Sequence, residues 1–194
     1  MLNWLLRDAG FQADLGLDLG SWQSRLSQAS GLVACQASAV LWDLSANDCL
    51  YAGDEAAQRV GRHPRHWSFI RPIRRGLLAD FDAAEKLCRQ LFASSKTRKS
   101  QVLLAAPPLA GDVELQVLAE VVREAGASSV CLVPSSACLA YATGLPILES
   151  AGLAVVDLGH ALSQASVYSR GSAVLHLQED CGGQELTQRW REHF

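Results

Sequence analysis

The stretch Leu17-Asp18-Leu19-Gly20-Ser21 returns about 140 positions later as Val156-Asp157-Leu158-Gly159-His160. Each copy follows an apolar run typical of a buried strand and precedes a segment that alternates like a hairpin. An aspartate and a glycine at such a turn can approach a phosphate group or its magnesium ion. Two such turns that face each other would form a nucleotide clamp.

The composition is that of a globular protein, with 49% hydrophobic and 19% charged residues among 194. The formal net charge of −3 gives no general attraction to nucleic acid, so no nucleic-acid partner is expected. Residues 59–75 are rich in arginine and aromatic residues, and a contact with anionic lipid or a protein partner is the favoured interpretation. The six cysteines show no zinc-like spacing, so free thiols are expected.

Residues 15–150 have the pattern of an α/β unit, in which parallel strands extend a meander through helical crossovers. The predicted strands cover residues 15–20, 22–28, 31–42, 101–106 and 129–133. The predicted helices cover residues 54–61, 82–93, 112–125 and 136–143, with Asp80 as an N-cap. A proline-containing connector separates the first two of these helices. The valines expected to face inward from the third are Val113, Val117, Val121 and Val122.

The pattern restarts after residue 152. Predicted strands over residues 153–157, 163–169 and 172–179 are followed by a helix from about residue 184 to the end. This part repeats only the beginning of the first unit, because no strand follows its helix.

The segment between the two motifs resembles the bacterial rod-shape protein MreB, a member of the actin-like ATPase superfamily. The resemblance rests on Gly53-Asp54-Glu55-Ala56-Ala57, Val60-Gly61-Arg62-His63-Pro64 and the run from Ile70 to Phe81. Further matches are Glu85-Lys86-Leu87, Ala125-Gly126-Ala127, Gly144-Leu145-Pro146, Val155-Val156-Asp157-Leu158-Gly159 and Gly182-Gly183. These stretches follow the order of the family over almost the whole chain.

The resemblance implies an α/β fold with an actin-like (ribonuclease H-like) first lobe plus the opening β-meander and helix of a second lobe. The expected division is an N-terminal amphipathic segment at residues 1–14, a first lobe at 15–150 and a partial second lobe at 151–194. A small subdomain is expected as an insertion at about residues 35–75.

MreB-like proteins bind ATP between two lobes, polymerise on the inner face of the cytoplasmic membrane and organise cell-wall synthesis. In a protein of this kind, Asp18 would help to hold magnesium through water and Ser21 would meet a phosphate, while Gly20 shapes the first turn. Asp157 and Gly159 would belong to the second phosphate loop.

The sequence departs from the family at the positions that carry the chemistry. The family's second loop reads Asp-x-Gly-Gly-Gly-Thr, where this chain has Asp157-Leu158-Gly159-His160-Ala161-Leu162. A Cβ at two of those glycine positions obstructs a phosphate, and leucine donates no hydroxyl. The family's Glu-Glu-Pro aligns with Leu132-Val133-Pro134-Ser135-Ser136, which has no carboxylate to activate water. In the first loop, Trp22 is large for the floor of a cleft.

These departures favour a non-catalytic MreB-like protein, a pseudo-ATPase that acts by association in cell-shape or cell-wall organisation. No cofactor is expected, with ATP and magnesium as ligands if the site still functions. The expected partner is a second copy or a full-length actin-like protein. Two alternatives stay open, namely a filament-forming actin-like ATPase and an actin-like accessory protein of pilus or microcompartment assembly.

The first residues suggest where such a protein would act. Leu2, Leu5 and Leu6 would share one face of a short helix with Trp4 nearby, which suits a membrane interface. The alternative is a terminal helix docked on its own domain. The expected location is the cytoplasm, with peripheral attachment to the inner face of the cytoplasmic membrane as an option.

Overall fold

The computed structural model describes residues 11–95 and 99–193. Its strands are β1 Leu15–Leu19, β2 Gln23–Gln28, β3 Gly31–Ala37, β4 Val40–Asp43, β5 Asp48–Ala52, β6 Trp67–Ile70, β7 Ile73–Arg74, β8 Leu77–Leu78, β9 Gln101–Ala106, β10 Ser129–Pro134, β11 Leu153–Leu158, β12 Ser163–Ser169 and β13 Ser172–Glu179. Its helices are α1 Asp54–Ala57, α2 Phe81–Ala93, α3 Asp112–Glu124, α4 Ser135–Ala142 and α5 Gly183–His193.

The main sheet has the order β10-β9-β1-β2-β3. Strand β1 pairs antiparallel with β2 and parallel with β9, so the first motif ends a strand at the centre of the sheet. The alternating leucines Leu15, Leu17 and Leu19 are buried in one core with Leu87 of α2 and Leu104 of β9. Removal of these apolar side chains from water is the main force that fixes β1 at this position.

The second sheet, β11-β12-β13, is antiparallel and repeats the β1-β2-β3 meander. Helix α4 packs against both sheets. Its Ala140 lies in a small core with Val155 and Tyr168, and the Ser136 Oγ lies 2.9 Å from the Tyr168 hydroxyl. Helix α4 therefore holds β11 and β12 of the second sheet against β9 and β10 of the main sheet.

The opposite face of the second sheet is apolar and exposed. Val156 of β11 and Leu177 of β13 both pair with Ala165 of β12, and they are 61% and 57% exposed. Helix α5, which follows this sheet, buries none of its described side chains. The two faces of this sheet thus differ, because the inner face is buried and includes the polar Gln164 and Ser166, while the outer face is apolar and exposed.

A third sheet, β5-β4-β6, shows that the strand expected over residues 31–42 is in fact two strands. The chain leaves the main sheet at Ser38 and Ala39, which are both fully buried. The Ser38 amide donates to the Trp22 carbonyl, and the Ala39 carbonyl accepts from Gly53. Because both residues are inside, the burial pattern of the sequence gives no sign of this change of direction.

The proline-containing connector also differs from expectation, because it contains strands β6, β7 and β8. Trp67 and Phe69 of β6 pack on the small core of Leu41 and Ala56. The first helix ends at Ala57, earlier than the expected Gly61. The inward face of α3 also differs from the expected set of four valines.

In α3 the buried residues are Leu118, Ala119, Val121 and Val122. Val113 is 73% exposed and Val117 is 39% exposed, so the prediction that they face inward is wrong. Positions 118, 121, 122 and 125 recur at helical spacing and form the face that packs on the sheet, which turns position 113 toward solvent. No helix within the described ranges is both long and apolar enough to cross a membrane.

Candidate functional site: the cleft between the two turns

A cleft of about 390 Å³ lies between the turn after β1 and the turn after β11. We name residues 20–22 the first turn and residues 159–162 the second turn. The residues predicted for the site all line this cleft, namely Asp18, Gly20, Ser21, Asp157 and Gly159. The fold therefore brings the two copies of the motif together. The predicted membrane residues Leu2, Trp4, Leu5 and Leu6 lie outside the described residues.

The glycine of each turn is required by the same close backbone contact. A Cβ on Gly20 would lie 2.6 Å from the carbonyl oxygen of Gln23, and a Cβ on Gly159 would lie 2.7 Å from that of Leu162. A backbone carbonyl within a paired hairpin cannot move aside as a side chain can. The Gly159 amide also donates to the Leu162 carbonyl at 2.9 Å. Both glycines are thus needed to close the turn, independently of any phosphate.

The aspartate of each motif has a polar partner on the adjacent strand, seven positions further along the chain. Arg25 Nη1 donates to Asp18 Oδ2 at 3.2 Å, and Gln164 Nε2 donates to Asp157 Oδ2 at 3.0 Å. Both pairs are direct cross-strand neighbours in their hairpins. The repeat therefore extends to side-chain contacts, with a cation in the first copy and a neutral amide in the second.

The electrostatics of Asp18 reflect two opposed influences. Burial raises the pKa of the Asp18 carboxyl above its ordinary value, while the Arg25 guanidinium lowers it and the nearby Asp157 carboxylate raises it again. Magnesium requires ionised carboxylate oxygens. Since Arg25 already balances the charge of Asp18, the carboxylate is less available to a metal ion. Within the described residues, no group of three or more His, Cys, Asp and Glu side chains is arranged to hold one.

Gln164 connects the end of β11 to α4. Its Nε2 donates to the Ser135 Oγ at 3.0 Å as well as to Asp157, and the residue is only 8% exposed. Within the described part of the chain, its amide oxygen has no hydrogen-bond partner. A buried acceptor without a partner is costly, so a water molecule or another donor in the cleft would stabilise it.

Three side chains meet where the two turns approach each other. The Arg71 Cζ lies 4.3 Å from the centroid of the Trp22 ring, within the range of a cation–π interaction. The Trp22 ring centroid lies 4.8 Å from that of His160, with an angle of 44° between the planes. Burial, assisted by the charge of Arg71, lowers the pKa of His160, although Glu185 raises it. The neutral imidazole is therefore the favoured form in this contact.

The residues of the two turns do not fit a phosphate chain that spans the cleft. The rings of Trp22 and His160 are in contact across the gap, and the Gly159 amide is bonded within its own turn. Leu162, at the position of the family's threonine, is buried and has no hydroxyl. Among the described residues that line the cleft, the carboxylates are Asp18 and Asp157. Each already accepts a hydrogen bond, Asp18 from Arg25 and Asp157 from Gln164, and these donors would compete with a magnesium ion.

The structure adds two residues that the sequence reasoning missed, Arg25 and Gln164. Both could have been found from the hairpin register, because a turn centred after Gly20 places Arg25 opposite Asp18, and the second hairpin repeats this spacing. The contact between Trp22 and His160 had no such local signal, since it depends on how the two sheets pack.

Two matching hairpins that face each other across a cleft, each opening a sheet with the same meander, define an actin-like protein. The particular family follows from the sequence. The chain belongs to the MreB/Mbl family, because the family model described as MreB/Mbl protein matches residues 12–193.

Curated relatives show the same relationship. The chain is 32% identical over 183 residues to the cell shape-determining protein MreB of Escherichia coli K12, which covers 89% of this chain and 53% of that protein. It is 30% identical over 169 residues to the cell shape-determining protein Mbl of Bacillus cereus, which covers 84% of this chain and 51% of the relative. The chain thus spans about half the length of the curated relatives it matches.

Solved structures confirm the fold. MreB5 of Spiroplasma citri, in a crystal structure with AMPPNP, matches 92% of this chain and 55% of its own, with a TM-score of 0.84 and 24% sequence identity. The MamK double helical filament matches 92% of this chain and 57% of its own, with a TM-score of 0.74 and 18% identity. The predicted α/β actin-like fold is therefore correct, as a partial version of these longer chains.

Proposed function

We propose that this chain is a non-catalytic MreB-like protein, a pseudo-ATPase that acts by association in bacterial cell-shape or cell-wall organisation. Its division would be a first lobe at residues 15–150, with a small subdomain inserted at about 35–75, and a partial second lobe at 151–194. Membership of the MreB/Mbl family supports the cytoskeletal role. The separate sheet β5-β4-β6 supports the inserted subdomain.

The contact between Trp22 and His160 carries the non-catalytic part of the proposal. The centroids of the two rings lie 4.8 Å apart, between the two turns that align with the phosphate-binding turns of MreB-like proteins. Ser135, which stands near the position of the lost carboxylates, accepts a hydrogen bond from Gln164. A hydroxyl in that role does not act as a general base at neutral pH. ATP hydrolysis is therefore expected to be absent, and ATP binding weak or absent.

A second candidate is a nucleotide-binding, filament-forming actin-like ATPase. The observation that favours it is the retention of Asp18 and Asp157 on the two sides of one cleft. Crystal structures of the similar MreB5 contain AMPPNP and ADP. For this candidate to hold, Trp22 and His160 would have to separate when the nucleotide enters, and Arg25 would have to release Asp18.

Association is proposed to involve a second copy or a full-length actin-like protein. The exposed apolar outer face of the second sheet, with Val156, Leu175 and Leu177 at 61%, 47% and 57% exposure, supports this. Contiguous exposed apolar surface is typical of interaction sites. The proposed location is the cytoplasm, with the inner face of the membrane as a docking surface. No nucleic-acid partner is proposed, in keeping with the net charge of −3.

The test is isothermal titration of the purified chain with Mg-ATP, together with a phosphate-release assay. The expected result is no saturable heat in the micromolar range and no turnover above the blank. The variant Asp18→Asn is the matched control, because it removes the carboxylate of β1 that is proposed for magnesium and should give the same null result. Phosphate release by the wild type that Asp18→Asn abolishes would refute the pseudo-ATPase, and micromolar binding that the same variant abolishes would favour the second candidate.

Association is tested separately by light scattering and by co-sedimentation with a full-length MreB. Concentration-dependent dimers or recruitment into the pellet are expected. A chain that stays monomeric at all concentrations and remains in the supernatant would contradict a role through association.

A further inference from the structure

Trp22, Arg71 and His160 come from three separate parts of the chain and meet at one place. Trp22 is in the first turn, His160 is in the second turn, and Arg71 belongs to the proline-containing connector, at the point where β6 leads into β7. We propose that these three residues form a latch, by which the chain itself holds the two sides of its cleft together without a ligand. This inference deepens the proposed function and rests on it for the statement that no nucleotide fills this role.

The geometry of the latch has one residue at its centre. The Trp22 ring contacts the Arg71 guanidinium at 4.3 Å and the His160 ring at 4.8 Å, so it joins the connector to both turns. Arg71 is held in place from two further directions. Its Cζ lies 5.5 Å from the centroid of the Phe69 ring, and its Nη1 donates to the Ser38 carbonyl at 3.4 Å.

A second link runs parallel to the latch. Arg75 Nη1 lies 2.7 Å from Asp180 Oδ2, which joins the connector to the loop after β13. The connector is itself fixed against the main sheet at Gly76, which has a φ of +73°, and a Cβ there would lie 2.7 Å from Pro107 Cγ. The connector therefore contacts Pro107 at Gly76, reaches the first turn through Arg71 and reaches the loop after β13 through Arg75.

The charges around His160 favour a closed latch while the imidazole is neutral. Arg71 faces it from the connector, and Glu185 faces it from α5. Glu185 in turn lies within the field of Arg75. A proton on His160 would place a second positive charge beside Arg71, which Glu185 offsets only in part, because the pKa of His160 is lowered overall.

The test is amide hydrogen exchange of the full chain, followed by mass spectrometry of peptides that cover residues 17–24 and 157–164. In the variant Trp22→Ala, we expect exchange in the second turn to rise about threefold to tenfold, although the substitution lies in the first turn. His160→Gly should raise exchange in the first turn by a similar factor. Arg71→Ala should raise both, and the double variant of Trp22 and His160 should add little to either single change.

The matched control is Arg74→Ala, which removes an exposed arginine of the same connector and should leave both peptides unchanged. Peptides from β9 report whether a variant has lost stability as a whole. Unchanged exchange in the opposite turn would overturn the latch, and so would a rise that is equally large in β9. ATP binding by the wild type would refute the proposed function, yet the exchange result would still decide whether the latch exists.

Discussion

Replacement of either turn glycine by alanine is expected to destabilise the protein, even when no nucleotide is present. The added Cβ would lie 2.6 Å from a carbonyl oxygen in Gly20→Ala and 2.7 Å in Gly159→Ala, whereas ordinary contacts begin near 3.4 Å. The hairpin must therefore open by most of an ångström. Overpacking of this kind costs about 1–3 kcal/mol in the free energy of unfolding. For a chain of this size, the melting temperature should fall by about 2–12 °C.

The measurement is thermal and urea unfolding followed by circular dichroism in nucleotide-free buffer. Gly152→Ala is the matched control for the second sheet, because its Cβ would meet only Val167 Cγ1 at 3.7 Å. Its free energy of unfolding should stay within about 0.5 kcal/mol of the wild type.

If the glycines of the two motifs served only to let a phosphate approach, Gly20→Ala and Gly159→Ala would unfold together with the wild type and with Gly152→Ala. If both variants unfold at the wild-type midpoint, the backbone contact in each turn is not the reason that glycine stands at these two positions.

Three further predictions concern the core, the pH dependence and the thiols. Leu104→Ala, at a fully buried position of β9, should lower the free energy of unfolding by about 2–5 kcal/mol in urea titrations, and a loss below 1 kcal/mol would contradict the assigned core. Burial and Arg71 lower the pKa of His160 in the folded protein. The contribution of the neutral imidazole to the free energy of unfolding should therefore be complete above its ordinary pKa near 6.5, and it should be lost as the pH falls through the lowered pKa. The urea midpoint of the wild type should thus fall relative to His160→Gln between pH 7.5 and 5.5, and parallel curves would exclude this linkage. Burial raises the pKa of the Cys88 thiol to about 12, so iodoacetamide should modify exposed Cys181 in the native protein and Cys88 only after unfolding, as mass spectrometry can show.

The sequence predicted most elements because their signals are local. Alternation in β1 and the helical spacing in α2, capped by Asp80 through its bond to the Ala83 amide, depend on neighbouring residues only. The break at Ser38 was missed because a buried serine that bonds to Gly20 and Ser24 looks like any other strand residue. Strand β6 was missed because prolines and arginines surround it, while its partner β4 is distant in sequence.

For the candidate site, the sequence predicted which residues come together but not the contacts between the two turns. The five motif residues do line one cleft, because the repeat places them at equivalent ends of two sheets. Their ligand-binding roles remain predictions. The Trp22–His160 contact depends on the packing of α4 between the sheets, and Arg71 reaches it from a connector whose path the sequence does not indicate.

The close contact at Gly20 and Gly159 has a consequence for how distant relatives are recognised. Each clash involves atoms of one hairpin only, so every copy of the motif must satisfy it by itself, whatever the other copy has become. The contact between Trp22 and His160 needs one residue from each copy, so it can be lost while each hairpin still satisfies its own glycine contact. A search for the Asp-x-Gly pattern therefore recovers proteins that share the hairpin, whether or not they hydrolyse ATP. To separate catalytically active from inactive members, the search must compare the residues that lie between the two turns.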